Sequence, residues 1–239
     1  MNKAARPAPP RASSPARSDA RNRSRVFIVD DHPVFRFGLV ALLRSQDLEP
    51  CGEAVNARDA MAELPAAEAH LVTVDISLVG GSGLPLIKQI KARWPELPVL
   101  VLSFHDEQLF AERALRAGAI GYLNKTIEPT YLVEGIRQAL RGELVVSPAM
   151  TDMLLRRAIQ KDGGRQELAS PVALLSDREL EVFELMGQGL GTRAVADVLH
   201  ISMKTVETHQ ANMKQKLGLK GASVLMRGAV NWVTNPERT

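Results

Sequence analysis

The sequence has only one cysteine, Cys51, among its 239 residues, and it has no long run of apolar side chains. A single cysteine excludes an internal disulfide and is typical of a reducing compartment. No apolar run is long enough to span a bilayer, and no apolar segment near the N-terminus resembles a secretory signal. The chain therefore lacks the marks of a secreted or membrane-spanning protein, and we expect a cytoplasmic one.

Apolar residues are nevertheless frequent enough to form a folded core. They make up 45% of the chain, and 239 residues suffice for one large domain or two modest ones. The positive charge is unevenly placed, because residues 1–25 carry seven basic side chains and one acid, a net +6. Since the whole chain is +3, residues 26–239 carry a net −3, and the basic character belongs to the N-terminal segment.

Residues 1–24 consist mostly of Pro, Ala, Ser and Arg. Such a segment cannot bury enough apolar surface to offset the entropy that is lost on ordering, so we predict a disordered basic tail. The tail would add at most a loose, salt-sensitive attraction to nucleic acid. An organelle transit peptide has a similar composition and is the weaker alternative.

Between residues 25 and 142, short apolar runs alternate with amphipathic stretches. This alternation is typical of an α/β domain in which each strand of a parallel sheet is followed by a helix. The predicted strands are 26–29, 52–55, the run 70–77, 99–102 and 120–123. The predicted helices are 33–45, 57–64, 85–94, 107–117 and 129–141. We therefore predict a five-stranded, doubly wound parallel sheet with helices on both faces.

The pattern changes after residue 142. We predict a linker at 143–173, in which 148–160 has the pattern of a helix and 161–165 that of a flexible break. From residue 174 onward the pattern is helical throughout. The predicted helices there are 177–188, 192–199, 203–217 and 222–233. A second, small, all-α domain at 174–235 is therefore expected.

Charged or hydroxyl side chains stand at the ends of four predicted strands. They are Asp30, Asp31, Asp75, Ser103 and Lys125. Because the carboxyl ends of parallel strands meet at one edge of a sheet, these side chains should converge. Three carboxylates at close range repel one another, and Mg²⁺ relieves that repulsion. Such a site suits phosphoryl transfer to Asp75, with Lys125 holding the phosphoryl oxygens and Ser103 sensing the added group.

Each of these residues also has a purely structural explanation. Asp31 and Ser103 could cap the helices that follow them, and Lys125 could be a solvated surface residue. An Asp that closes a strand often bonds the next turn, which would explain Asp75. The structural explanation must hold at four strand ends at once, so we favour the phosphoryl-transfer interpretation.

The strand-end residues also resemble a known family. Asp30, Asp31, Asp75, Ser103 and the run Gly121-Tyr122-Leu123-Asn124-Lys125 resemble the receiver domain of a two-component response regulator over about residues 25–142. The resemblance implies a flavodoxin-like fold, phosphorylation of Asp75 by a sensor histidine kinase and a bound Mg²⁺. The metal ligands that it implies are Asp30, Asp31, Asp75 and the backbone carbonyl of Ser77. The switch residues that it implies are Ser103 and Tyr122.

Phe104 departs from the receiver pattern, because a small residue usually follows the switch hydroxyl. We expect its ring at the mouth of the site to slow the entry of water or of small phosphodonors. Val79 and Thr126 also depart from the pattern, since a proline is common at both places.

The predicted helices 192–199 and 203–217 suit either an ordinary helical hairpin or a helix-turn-helix. The outer face of the second helix carries short polar side chains flanked by lysines, which suits a helix lying in the DNA major groove. The candidate DNA contacts are Lys204, Thr205, Glu207, Thr208, Ala211, Lys214 and Lys216. Residues 193–227 carry six bases against two acids, a modest positive footprint of +4, although a plain solvated face would look similar.

Several short motifs in this part resemble the four-helix LuxR-type DNA-binding domain. They are Leu175 to Phe183, Gly189-Leu-Gly191, Ile201-Ser202, Lys204 to His209 and Lys216-Leu-Gly218. Together with the receiver they resemble the NarL/FixJ group of transcriptional regulators. The resemblance implies a regulator that binds promoter DNA as a homodimer and has no enzyme activity beyond Mg²⁺-dependent self-phosphorylation and dephosphorylation.

Several alternatives remain open from the sequence. The receiver could control either dimerisation or the exposure of helix 203–217, and the apolar side chains of helix 222–233 suit a dimer interface as well as core packing. The chain could instead be a phosphate relay or an interaction adaptor that does not act through DNA. An Asp-nucleophile phosphatase is the weakest alternative, because Ser77 stands where such an enzyme needs a second acid.

Overall fold

The computed structural model describes residues 23–162 and 171–234. Residues 1–22 of the predicted basic tail (1–24) and most of the predicted break at 161–165 lie outside these residues, whereas Ser24 begins the first strand. Within the described ranges, every helix is too short or too polar to cross a lipid bilayer.

The first part of the chain is an α/β layer structure. Its strands are β1 (Ser24–Val29), β2 (Leu48–Ala54), β3 (Leu71–Val74), β4 (Ser77–Leu78), β5 (Gly81–Ser82), β6 (Val99–Ser103) and β7 (Gly121–Asn124). Its helices are α1 (Pro33–Ser45), α2 (Ala57–Ala67), α3 (Gly83–Arg93), α4 (Glu107–Ala117) and α5 (Pro129–Leu140). Five strands form one sheet in the order β2-β1-β3-β6-β7, and all neighbours in it are parallel. The predicted doubly wound sheet is confirmed.

The core follows from the alternation of side chains along each strand. In β1, Val26 and Ile28 point to one face and pack with apolar residues of α1 and α5. Phe27 and Val29 point to the other face and pack with α2, α3 and α4. Every residue of β3 and β6 is buried, as expected for central strands that are covered by helices on both faces.

Some boundaries differ from the predicted ones. The edge strand β2 begins four residues earlier than expected, at Leu48, because its pairing with β1 sets its length rather than an apolar pattern of its own. The predicted run 70–77 ends as a strand at Val74, and a two-stranded hairpin of β4 and β5 follows Asp75. Helix α3 begins at Gly83, since the Ser82 hydroxyl accepts the Leu84 N–H and caps it.

The predicted linker at 143–173 is partly folded onto the sheet. Val145 forms a bridge to Gly121, and its carbonyl accepts the N–H of Tyr122 at 2.7 Å. The helix α6 (Pro148–Asp162) follows, and its Met150 is buried. Main-chain hydrogen bonds thus extend the ordered α/β part beyond α5, which the absence of a strand pattern did not reveal.

The last part of the chain is helical, as predicted. A short 3₁₀ helix (Pro171–Leu174) precedes α7 (Asp177–Gly187), α8 (Thr192–Val198), α9 (Met203–Lys216) and α10 (Ala222–Thr234). A capping box of Ser176 and Glu179 starts α7. Helix α10 lies so close to α7 that a Cβ on Gly187 would stand 2.6 Å from the Ala229 carbonyl oxygen. Trp232 of α10 packs edge-on against Phe183, so this helix contributes to the core.

Candidate functional site

Asp75 lies at the carboxyl end of the central strand β3 and is buried. Its backbone N–H donates to the Val29 carbonyl of β1, and the backbone N–H of Asp30 donates to Ala54 of β2, both at 2.9 Å. Lys125, which follows β7, reaches across the same sheet edge. Its Nζ lies 2.5 Å from Asp75 Oδ2 and 2.8 Å from Asp30 Oδ2. The strand ends therefore bring these three charged groups into contact.

His32 completes this cluster, which we call the acid pocket (Asp30, Asp31, His32, Asp75 and Lys125). Its Nδ1 lies 3.0 Å from Asp31 Oδ1, 3.1 Å from Asp75 Oδ2 and 3.4 Å from Asp30 Oδ1. The nearby carboxylates of Asp30, and then of Asp31 and Asp75, raise the pKa of His32 to about 11 although burial opposes the shift. The imidazole is thus a cation at neutral pH. The sequence prediction missed His32, although its place directly after two acids at a strand end was a usable signal.

The charges of the acid pocket stabilise one another. Burial by itself raises the pKa of Asp30, but the hydrogen bonds from His32 and the charge of Lys125 outweigh it and hold that pKa below its usual value. The Asp30 carboxylate is therefore stabilised in its ionised form in a largely buried place.

The acid pocket also fits a divalent cation. Ligand atoms of Asp30, Asp31, His32 and Asp75 all lie within 4.8 Å of one another. Asp31 Oδ1 is buried, and the His32 imidazole 3.0 Å away is not aligned to satisfy it with a hydrogen bond. A buried carboxylate oxygen without an aligned donor requires a partner, and a hard cation supplies one.

Ser103 and Tyr122 lie behind the acid pocket, and both are fully buried. The Ser103 hydroxyl accepts the N–H of His105 at 3.3 Å, and the Tyr122 hydroxyl donates to the His105 carbonyl at 2.8 Å. The Asn124 amide donates to the same carbonyl at 3.1 Å. The two predicted switch residues thus hold the two ends of one residue, His105, which the sequence prediction did not include.

Phe104 lies at the mouth of the acid pocket, and half of its surface is exposed. Its ring contacts His32 edge-on at 5.4 Å and Phe35 at 6.0 Å between centroids. The Lys125 ammonium lies 5.0 Å from the centre of the Phe104 ring and 4.6 Å from that of Phe35. Two aromatic rings therefore cover the lysine on its outer side.

Most of the predicted DNA contacts share the outer face of α9. Lys204, Glu207, Thr208 and Ala211 are exposed, and we call these four residues the reading face. Thr205 and Lys214 are half-buried. The Thr205 hydroxyl lies 2.8 Å from that of Ser202, the residue that caps the helix.

Lys216, the last of the predicted DNA contacts, forms an ion pair within its own domain. Its Nζ lies 2.6 Å from a carboxylate oxygen of Glu179 in α7. Burial raises the pKa of Glu179, but the bonds from Lys216 and Ser176 outweigh that effect and lower it. The side chain joins two helices of its own domain, because α9 packs on α7 at this end, which the local pattern of α9 could not show.

Comparisons with known proteins match two separate parts of the chain to two different families. The family model described as "Response regulator receiver domain" matches residues 26–137, and "Bacterial regulatory proteins, luxR family" matches residues 173–229. The oxygen regulatory protein NreC of Staphylococcus carnosus is 31% identical over 209 residues, which cover 86% of this chain and 96% of that protein.

Solved structures of RcsB are similar to the whole described fold. RcsB from Salmonella enterica serovar Typhimurium, bound to promoter rprA in the presence of phosphomimetic BeF3-, is 26% identical with a TM-score of 0.55, covering 87% of this chain and 99% of that one. A structure of two RcsB dimers bound to two parallel DNAs is 26% identical with a TM-score of 0.52, covering 86% and 97%.

Proposed function

Since the chain belongs to the NarL/FixJ group of DNA-binding response regulators, we propose that it accepts a phosphoryl group on Asp75 and thereby changes its binding to promoter DNA. The contact that carries this proposal is the short one from Lys125 Nζ to Asp75 and Asp30, next to the buried Asp31 oxygen that has no aligned hydrogen bond. A carboxylate nucleophile, a fixed ammonium and an open cation position are the groups that phosphoryl transfer needs.

In the proposed reaction, a carboxylate oxygen of Asp75 attacks the phosphorus of a phosphohistidine on a sensor histidine kinase. The bond from phosphorus to the histidine nitrogen breaks, and the nitrogen keeps the electron pair. Lys125 would hold the phosphoryl oxygens. Asp30, Asp31, Asp75 and the Ser77 carbonyl would hold Mg²⁺, which when bound neutralises charge that builds up on those oxygens. A small phosphodonor would serve in place of the kinase, so the chain would phosphorylate and dephosphorylate itself.

The proposed switch uses Ser103 and Tyr122. A phosphoryl group adds negative charge and acceptor oxygens, which would draw the Ser103 hydroxyl toward Asp75. Because that hydroxyl now accepts the N–H of His105, its movement would release one end of the loop that Tyr122 also holds. The movement would carry the signal out of the acid pocket.

We propose the domain limits as a basic tail at 1–24, a receiver at 25–142, a linker at 143–173 and a DNA-binding domain at 174–235. The reading face together with Thr205 and Lys214 would contact the major groove, and the regulator would act as a homodimer on promoter DNA in the cytoplasm. Between the two mechanisms of control that the sequence leaves open, the exposure of the reading face supports control of dimerisation or orientation. Within the described residues the receiver contacts α7 and shares a cavity with the end of α10, while the reading face stays uncovered.

The proposal is tested by incubating the full chain with acetyl phosphate and Mg²⁺ and measuring its intact mass and its affinity for promoter fragments. We expect the wild type to gain one phosphoryl group and to change its DNA affinity, and the Asp75→Asn variant to do neither. A wild type that gains no mass would overturn the assignment of Asp75. The salt dependence of binding separates the alternative of an adaptor that does not act through DNA, because that alternative predicts no fall in log affinity with log salt.

A further inference from the structure

Helix α7 of the DNA-binding domain is buried along almost its whole length. All residues from Glu179 to Gly187 are buried, including the acids Glu181 and Glu184. A helix at the surface of a small domain normally keeps a polar face in water. Here the polar face of α7 lies against the receiver, where α7 contacts β5 and Glu184 meets the segment between β6 and α4.

Glu184 makes two contacts with this segment. One of its carboxylate oxygens forms a short hydrogen bond with His105 Nδ1, and the other accepts the backbone N–H of Asp106 at 2.9 Å. The opposite nitrogen of the imidazole, Nε2, lies 2.8 Å from the hydroxyl of Ser77. The ring of His105 is therefore held between a carboxylate of one domain and a hydroxyl of the other.

Ser77 connects this arrangement to the proposed phosphoacceptor. It stands two residues after Asp75, and its backbone N–H lies 3.4 Å from Asp75 Oδ1. A continuous set of contacts thus runs from Glu184 through His105 and Ser77 to Asp75. Most of the set is shielded from water, since Glu184, His105 and Asp75 are buried and Ser77 is half-buried.

We infer that Glu184 is a positioning residue of the phosphoacceptor site, supplied by the DNA-binding domain and acting through His105 and Ser77. This inference rests on the proposed function of Asp75. Glu184 orients the imidazole, and the imidazole fixes the hydroxyl of Ser77 and with it the turn that follows Asp75. The same bond fixes the peptide unit of His105 at the place where Ser103 and Tyr122 hold it.

The position that Glu184 stabilises is that of the unphosphorylated site. A phosphoryl group on Asp75 would attract the Ser103 hydroxyl, which now accepts the N–H of His105. It would also convert the carboxylate that faces the N–H of Ser77 into an acyl phosphate. Docking of Glu184 and phosphorylation therefore favour different arrangements of one loop. Because coupling between two sites is reciprocal, the carboxylate that phosphorylation would release also opposes phosphorylation.

The test uses intact mass to measure the rate at which acetyl phosphate with Mg²⁺ phosphorylates the full chain. Glu184→Gln keeps the size of the side chain and removes the charge that orients His105. We expect the maximal rate to rise about threefold to tenfold, within the usual range of coupling between sites. The acetyl phosphate concentration at half-maximal rate should stay unchanged, because Glu184 does not touch the entrance of the acid pocket.

A second variant, His105→Asn, separates positioning from a general loosening of the domains. We expect it to raise the rate too, and Glu184→Gln to add nothing in its presence. Arg113→Ala is the matched control, since Arg113 joins the domains through the carbonyls of Val172 and Leu175 and the carboxylate of Asp177, away from His105. Arg113→Ala should change the phosphorylation rate by the same factor whether or not His105→Asn is also present.

Three results would overturn the inference. They are an unchanged rate in Glu184→Gln, an unchanged rate in His105→Asn, and an increase from Glu184→Gln that persists in full when His105 is already replaced. A wild type that acquires no phosphoryl group, or acquires it equally in Asp75→Asn, would instead remove the proposed function and this inference together. Failure of the inference alone is therefore recognised by normal phosphorylation of Asp75 without any dependence on Glu184.

Discussion

The acid pocket and the reading face both use charged side chains, but in opposite environments. In the acid pocket, the Lys125 side chain is 0% exposed and contacts two carboxylates within 2.8 Å. On the reading face, the Lys204 side chain is 87% exposed, and an oxygen of Glu207 lies 3.8 Å away. Removing one partner of a buried charge pair leaves the other charge unpaired and costs much free energy. Exposed charges interact weakly and are screened by salt. Each buried residue of the acid pocket should therefore be indispensable for phosphorylation. Each residue of the reading face should supply only part of the affinity for DNA.

The largest expected effect is that of Lys125→Met. The substitution removes the ammonium that would hold the phosphoryl oxygens, and loss of one such group typically lowers a rate by about a hundredfold or more. We expect that decrease in the rate of phosphorylation by acetyl phosphate, measured by intact mass. Lys204→Ala is the control and should leave this rate unchanged. A fall of less than about threefold in Lys125→Met would contradict the difference between the two regions.

Lys204→Ala should weaken promoter binding by about threefold to tenfold and reduce the slope of log affinity against log salt by about one, because one phosphate contact is lost. Fluorescence anisotropy over a series of salt concentrations measures both quantities.

Lys216→Ala is the matched comparison on the same helix. Since its Nζ is paired with Glu179, it should leave the slope unchanged and lower the free energy of unfolding by about 0.5–1 kcal/mol. If both variants had the same salt slope, the two lysines would not differ in their contact with DNA phosphate.

His32→Asn tests the acid pocket through pH. The carboxylates of Asp30, Asp31 and Asp75 raise the pKa of His32 to about 11 in the folded protein, above its value of about 6.5 in the unfolded chain. The stability that this cation contributes is therefore fully present below pH 6.5 and is lost as the pH rises through 11. In urea unfolding with EDTA, the wild type should exceed the variant by about 1 kcal/mol at pH 6, since a side chain that is almost half exposed is partly screened. The difference should shrink toward pH 10, and a difference that grows with pH would contradict the assignment.

Phe104→Ala has the smallest expected effect. The ring lies over Lys125 at the mouth of the acid pocket with half of its surface in water, so it can hinder water without excluding it. We expect the lifetime of phosphorylated Asp75 to fall by about twofold to threefold, since a barrier lowered by about 0.5 kcal/mol changes a rate by that factor. Loss of the mass signal over time measures the lifetime. An unchanged lifetime counts against a role of the ring at the entrance.

The parts of the fold that follow from local repetition were predictable. Alternation of short apolar runs and amphipathic stretches predicted the five-stranded sheet and its helices, and the helical periods predicted α7 to α10. The start of β2 was not predictable in the same way, because an edge strand of mixed composition takes its length from its neighbour. His32 was missed for a related reason, since its place after two acids was a signal but did not by itself decide whether the imidazole turns toward them or toward water.

The sequence by itself determined which chemical groups stand at the carboxyl ends of the parallel strands, and therefore that Asp30, Asp75 and Lys125 meet, because such ends share one edge of any doubly wound sheet. Only the tertiary structure decided the partners of His105 and Lys216. Glu184 lies 79 residues from His105 along the chain, and Glu179 lies 37 residues from Lys216. Contacts of that kind depend on how two finished surfaces dock, and the periodicity of a single helix contains no information about the surface that it will meet.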